Sequence, residues 1–231
     1  MFDKIDKKLF YIFRSFFVFL IFWFSSYFQY IPVWLFHLDV HNLSQVTTVL
    51  LSFFSSSVIF LIFMIIYWND LKKEFIIFKK DLMKNMDIGF KYWMYGLAIM
   101  IISNLILTYF FKAGIASNEK VVQKMIEALP AFMLIEAGFI APFNEEIAFR
   151  KTLKDIFTNK WFFAIISFLL FGGAHVIHGA TTLVDYLYII PYGVLGGAFA
   201  LAYYETDTIF TSMSMHMIHN TILILLSIFF I

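Results

Sequence analysis

The chain has no cysteine, which excludes disulfides, thiolate metal sites and a cysteine nucleophile. Charge is scarce as well. Charged residues make up 14% of the 231 positions and the net charge is +1, so nothing favours a nucleic-acid partner. Of 17 basic residues only Arg14 and Arg150 are arginine, a lysine bias that points to an AT-rich, bacterial genome. Three protease signatures are missing: G-x-S-G for a serine–histidine dyad, H-E-x-x-H for the zinc type and G-x-G-D for the aspartyl type. No internal repeat with paired broken helices is found, the usual pointer to a carrier. The first apolar run has no small-x-small site near its end, so it is expected to remain as a span rather than be cleaved as a signal peptide.

What is abundant is apolar bulk. Hydrophobic residues make up 61% of the chain and aromatic residues 21%, with 32 phenylalanines and a mean hydropathy of +0.82. Soluble domains are about 45–50% apolar. The sequence therefore predicts an all-α integral membrane protein, a polytopic helical bundle with a polar intramembrane cavity. It reads as a single membrane domain over residues 1–231, with a motif-bearing core at about 131–231.

Apolar runs of about 20 residues mark candidate spans. They fall at about Leu9–Tyr30, Val46–Trp68, Tyr92–Phe111, a fourth after Pro130, Trp161–Val176, Leu183–Tyr204 and Thr208–Ile231. That makes about seven, within a range of six to eight. Arg14 is near enough to the end of the first run to snorkel. Lysines at 4, 7 and 8, at 72, 73, 79, 80, 84 and 91, and at 151, 154 and 160 fall on one side of this arrangement. The positive-inside rule then makes the amino terminus cytoplasmic. Between Asp70 and Asp87 the apolar residues Leu71, Phe75, Ile76 and Phe78 recur at helical spacing, predicting a cytoplasmic helix against the membrane. Val121–Leu129, V-V-Q-K-M-I-E-A-L, predicts a short amphipathic helix in the opposite interface.

Within the fourth run lies P-F-N-E-E-I-A-F-R, residues 142–150. Ionisable groups in an apolar span are expensive and mark a functional site by default. Successive helical residues are about 100° apart, so Glu145 and Glu146 cannot serve one point. Glu146 and Arg150, at i,i+4, have the spacing of an intrahelical ion pair. That leaves Glu145 to point into a cavity. Pro142 would bend or restart the helix, and Asn144 could cap a restarted one.

Four of six histidines sit in or beside apolar runs. F-G-G-A-H sets Phe171 one turn before His175, with Gly172 and Gly173 permitting close helix approach. M-H-M-I-H-N sets His216 and Asn220 on one face, with His219 beside them. These groups could share a pocket holding a water, with Glu145 as general base and imidazoles as ligands or electrophiles. A lone membrane histidine is more often a helix–helix hydrogen bond. Glu136 is read as a packing or cavity-lining carboxylate without a catalytic role. Asp185, Glu205 and Asp207 are read as solvated at span ends, and His37 and His41 as incidental loop residues. Straight helices would hold His175 and Glu145 far apart in depth. A shared site therefore predicts motif helices that are broken, tilted or kinked at Pro142.

E-E-x-x-x-R, F-x-x-x-H and H-x-x-x-N, in that order on three apolar segments, together resemble the CPBP family. This is the family of CAAX-prenyl-endopeptidase-like, or Abi, bacteriocin-processing intramembrane proteases. The matching residues are Glu145, Glu146 and Arg150; Phe171 and His175; His216 and Asn220. The resemblance implies that Glu145 activates water, that His175, His216 and Asn220 complete the site, and that Glu146 and Arg150 support it. Two cofactor states are open: none, with an imidazole and amide oxyanion hole, or one divalent metal such as zinc on Glu145, His175 and His216.

The leading expectation is an intramembrane endopeptidase acting on a membrane-associated peptide or protein, with the lipid bilayer as a further partner. The alternatives are a proton-coupled transporter that uses Glu and His as a relay, and a non-catalytic bacteriocin-immunity or peptide-binding membrane protein.

Overall fold

The computed structural model describes residues 2–230, with side chains from Lys7 onward, so the Lys4 side chain and Ile231 lie outside the described residues. Among the described residues helix is the only regular structure. The order is α1 (Phe2–Trp23), a 3-10 turn (Ser25–Gln29), α2 (Tyr30–Leu35), α3 (Gln45–Lys80), α4 (Leu82–Phe110) and α5 (Ser117–Ala128). A continuous motif helix over residues 130–156 comes next. It comprises α6 (Pro130–Ile135), a π turn (Glu136–Ile140), α7 (Ala141–Glu146), a second π turn (Ile147–Lys151) and α8 (Thr152–Ile156). Then come α9 (Lys160–Val176), α10 (Leu183–Tyr186), α11 (Ile189–Thr206) and α12 (Ile209–Phe230).

Local chemistry sets several of these boundaries. The Ser44 side chain accepts from the Thr47 N–H at the start of α3, and that of Asn159 accepts from the Phe162 N–H at the start of α9. Each supplies a partner that the first turn lacks. Thr182 and Asp185 form a reciprocal capping box on α10. Asp207, at φ 50°, takes the left-handed turn that lets α11 reverse into α12.

Four helices among the described residues are long and apolar enough to cross a membrane, or five if α1 and the helix after its 53° bend make one span. The sequence predicted seven. The motif helix drops out because Glu136, Glu145, Glu146, Arg150, Lys151, Lys154 and Asp155 lie along it. At 17 residues, α9 is short for a span. The polar stretch after Asp70 is no separate helix. The 36 residues of α3 extend about 54 Å, well beyond a hydrocarbon core of about 30 Å. It runs on to Lys80, and α4 restarts after Asp81. Asn85 Nδ2 donates back to the Ile77 and Phe78 carbonyls across that turn. The amphipathic helix expected near Val121 is present as α5, with Ile126 buried in a cluster with Val49, Met133 and Ile224.

The motif helix lies at the centre, packed against α1, α3, α9, α11 and α12. Phe143, Ile147, Ala148 and Phe149 form a core with Phe63, Tyr67, Phe171 and Tyr203. Large apolar side chains such as Ile65, Phe110 and Phe229 face outward, as lipid contact requires. Helix association in lipid depends on close approach at small residues. At Gly172, an added Cβ would lie 2.5 Å from the Ile189 carbonyl oxygen, so α9 and α11 touch backbone to backbone. Gly173 has no such role, since its Cβ would meet only Ile177 of the chain just beyond its own helix.

Candidate active site

The motif helix does not break at Pro142. It passes through the proline with a π turn on either side, so Asn144 caps nothing and donates its Nδ2 to the Ser56 carbonyl at 2.9 Å. A π turn inserts one residue into the helical ladder and re-aims the side chains beyond it, and such turns recur at functional sites. The one before Pro142 ends where the proline withholds its N–H, so the expected break is absent.

Glu146 and Arg150 are wholly buried, with Arg150 Nε 3.5 Å from Glu146 Oε1. The guanidinium faces Phe171 at 4.3 Å and Phe199 at 5.7 Å from the ring centroids, so its charge is also met by aromatic faces. Glu146 has a second partner that i,i+4 spacing cannot reveal: His216 Nδ1 donates to Glu146 Oε1 at 2.9 Å. The other ring nitrogen, Nε2, lies 3.5 Å from Glu145 Oε2. His216 is thus bracketed by the two adjacent glutamates, which leave the helix in different directions and meet the same imidazole on opposite edges. The Glu145 side chain is the more open carboxylate, 17% exposed against 0% for Glu146.

His175 donates Nδ1–H to the Phe171 carbonyl at 2.8 Å. That bond fixes the ring and leaves Nε2 free. Its ring packs on Phe171 (4.4 Å) and stacks on Tyr192 (4.9 Å). His216 packs on the same Phe171 ring at 5.6 Å and on Phe199 at 5.1 Å. Phe171 therefore joins the two imidazoles and the Arg150 guanidinium. The two histidine centroids can be no further apart than their distances to Phe171 together, within about two helical turns.

Not every expected residue faces the glutamates. His219 turns to α4, where its Nδ1 accepts from Trp93 Nε1 at 3.3 Å. Asn220 Nδ2 donates to the Ala137 carbonyl at 2.8 Å, so the amide is on the backbone of the first π turn. Among the described residues no three His, Cys, Asp or Glu side chains gather as a group able to hold a metal ion. Glu145, His175 and His216 do not form that set here, because His175 is held against Phe171 and Tyr192 rather than beside the carboxylates.

A second polar cluster lies at the α8 end of the motif helix, and of it only the i,i+4 spacing of Lys151 and Asp155 is visible in the sequence. Lys151 Nζ is 3.0 Å from both Glu74 and Asp155, and Arg14 is bonded to Asp70 (2.7 Å) and Asp155 (2.5 Å). Glu74 also accepts from Tyr203 Oη (2.9 Å) and from the Ile209 N–H (2.7 Å). Arg14 is therefore an internal tie and does not snorkel. Glu205 and Asp207 are paired rather than merely solvated, with Lys160 (2.5 Å) and Lys154 (2.7 Å). Apart from the Lys151–Asp155 spacing, the general rule that membrane charges find partners is the signal that could have flagged these residues.

Comparison with known proteins bears on this same segment. Residues 127–222 match the family described as type II CAAX prenyl endopeptidase Rce1-like. A curated relative, "Putative membrane peptidase YdiL" of Bacillus subtilis (strain 168), is 29% identical over 124 residues, covering 52% of this chain. The aligned part spans 47% of that relative's length, so the chain covers about half of the curated relative it matches. No solved structure matches. Over residues 127–222 the chain is thus similar to the CAAX-prenyl-endopeptidase-like membrane peptidases, the family its motifs resemble.

Proposed function

We propose that the chain is an intramembrane endopeptidase that hydrolyses a peptide bond of a membrane-associated peptide or protein. The observation that carries this reading is the bracketing of His216, with Nδ1 on Glu146 and Nε2 facing Glu145. With Nδ1–H held by Glu146, Nε2 is the ring atom available for proton exchange. Glu145 takes a proton from a water molecule, and the hydroxyl oxygen bonds to the carbonyl carbon of the substrate. The proton passes from Glu145 to His216 Nε2. The resulting imidazolium donates Nε2–H first to the oxyanion and then to the departing amine nitrogen, as the C–N bond breaks. Glu146 stabilises the imidazolium and Arg150 holds Glu146. His175, its ring fixed on the Phe171 carbonyl, offers Nε2 as an acceptor for the water or the substrate N–H. Asn220 lies one turn after His216, with its amide on the Ala137 carbonyl. No step is routed through a metal.

The same reading puts the chain in a bacterial cell membrane with its amino terminus cytoplasmic. The lysine clusters and the similarity to a Bacillus subtilis protein support it. The test is cleavage of a membrane-associated peptide pool by reconstituted protein. Glu145→Gln is expected to lower the rate by about 10²–10⁴-fold, the usual effect of removing a general base, and His175→Ala, which removes an acceptor that positions the water or the substrate, by about 10–100-fold. Unchanged cleavage in both variants would remove the activity from these residues. Metal content, measured on the same preparations, tests the metal-free route.

A further inference from the structure

Pro142 interrupts the backbone ladder where the motif helix leaves its first π turn. The Ala141 N–H donates to the Glu136 carbonyl, its i→i+5 partner. The next donor in that ladder would be residue 142, and proline has no N–H. The next acceptor is the Ala137 carbonyl, and it is the one that Asn220 Nδ2 bonds from α12 at 2.8 Å. Gly138 makes room for this contact, since an added Cβ there would lie 3.1 Å from Thr221 Oγ1, on the residue after Asn220. In the second π turn the corresponding carbonyl, Ala148, accepts from Thr152 Oγ1 of the same helix. The Phe149 carbonyl of that turn bonds with Ser167 Oγ from α9 at 3.1 Å. Carbonyls freed by irregular membrane helices are re-satisfied by neighbouring polar side chains.

Along this interface α12 runs antiparallel to the motif helix, with His216 opposite Glu146 and Asn220 opposite Ala137. We propose that Asn220 is a positioning residue whose amide stands in for the N–H that Pro142 lacks. Its bond to the Ala137 carbonyl fixes the rotation at which the next turn presents Glu145 to His216. The i,i+4 spacing on α12 then has a mechanical meaning. One side chain anchors the π turn, and the other meets the carboxylates that this turn aims. For its effect on activity the assignment rests on the peptidase reading, but the hydrogen bond it invokes is independent of that reading.

The test is a double-mutant cycle on Asn220→Ala and Pro142→Ala, because alanine restores an N–H at position 142. Two quantities are read for wild type, both single variants and the double variant. One is kcat and KM on a quenched fluorescent peptide pool in vesicles, and the other is the thermal unfolding midpoint in detergent. Asn220→Ala alone is expected to lower kcat by about 10–100-fold with little change in KM, the effect of a small misplacement of catalytic groups. In the Pro142→Ala background the same change should matter by less than about threefold, and the midpoints should show the same coupling. An equal loss of kcat in both backgrounds, with additive midpoints, would overturn the assignment and make the amide a direct substrate contact. If wild type cleaves nothing, the peptidase reading fails while the midpoints still decide the role of Asn220. Coupled midpoints would support it and additive midpoints would refute it.

Discussion

Replacing Arg150 by methionine removes the buried cation from a position with no access to water. In the native protein its Nε lies 3.5 Å from Glu146 Oε1, and neither side chain is exposed. Methionine retains much of the length and sits well against Phe171 and Phe199, so the perturbation is mainly one of charge. Breaking a buried pair by removing one partner costs about 3–5 kcal/mol, because the surviving charge stays desolvated. The cation–π contact to Phe171, at 4.3 Å, adds up to about 2 kcal/mol when desolvated. His216 still donates to Glu146 and offsets part of the loss, so the expected total is about 3–4 kcal/mol. Glu146→Gln with Arg150→Met removes both charges and keeps an acceptor for His216 Nδ1. It should cost clearly less than the sum of the single variants, by about 2–3 kcal/mol. The assay is reversible unfolding in mixed micelles for all four proteins. An Arg150→Met effect below about 1 kcal/mol, or strictly additive costs, would refute the idea that this pair is an electrostatic unit.

Two further outcomes concern the packing and the second cluster. Gly172→Ala would drive a Cβ to 2.5 Å from the Ile189 carbonyl and 3.1 Å from Gly193. Neither backbone atom can yield, so α9 and α11 must separate at about 1–3 kcal/mol, whereas Gly114→Ala, with nothing within 4 Å, should stay within about 0.5 kcal/mol. Equal unfolding midpoints for the two variants would contradict this. Glu74→Ala strips a partner from Lys151, Tyr203 and the Ile209 N–H together. It should destabilise by about 3–5 kcal/mol, and Glu74→Gln by less; a tolerated alanine in the same unfolding assay would mean the cluster is not a structural tie.

How far the sequence could be read depended on the range of each interaction. The Glu146–Arg150 pair and the Phe171–His175 contact follow from i,i+4 spacing, because a helix fixes which residues share a face. The all-α membrane class followed from composition, since few other arrangements satisfy backbone groups in lipid. The grip of Glu146 on His216 spans 70 positions and the tie from Arg14 to Asp155 spans 141, and no local periodicity encodes either. The π turns were also invisible. Pro142 predicts trouble for an α-helix, but not that a π turn precedes it or that Asn220 of another helix bonds the Ala137 carbonyl. Length and composition mark four or five candidate spans among the described residues, against seven apolar runs in the sequence, for a related reason. Hydropathy counts apolar runs, whereas the motif helix is enclosed by protein and tolerates charge that lipid would not.

The most direct test of the central claim is cleavage of a membrane-associated peptide in ¹⁸O-labelled water, read by mass spectrometry on wild type and Glu145→Gln. The account predicts one ¹⁸O atom in the new carboxyl terminus with wild type, and a rate lower by about 10²–10⁴-fold with the variant. Absence of cleavage by wild type, or equal labelling at an equal rate by Glu145→Gln, would contradict it.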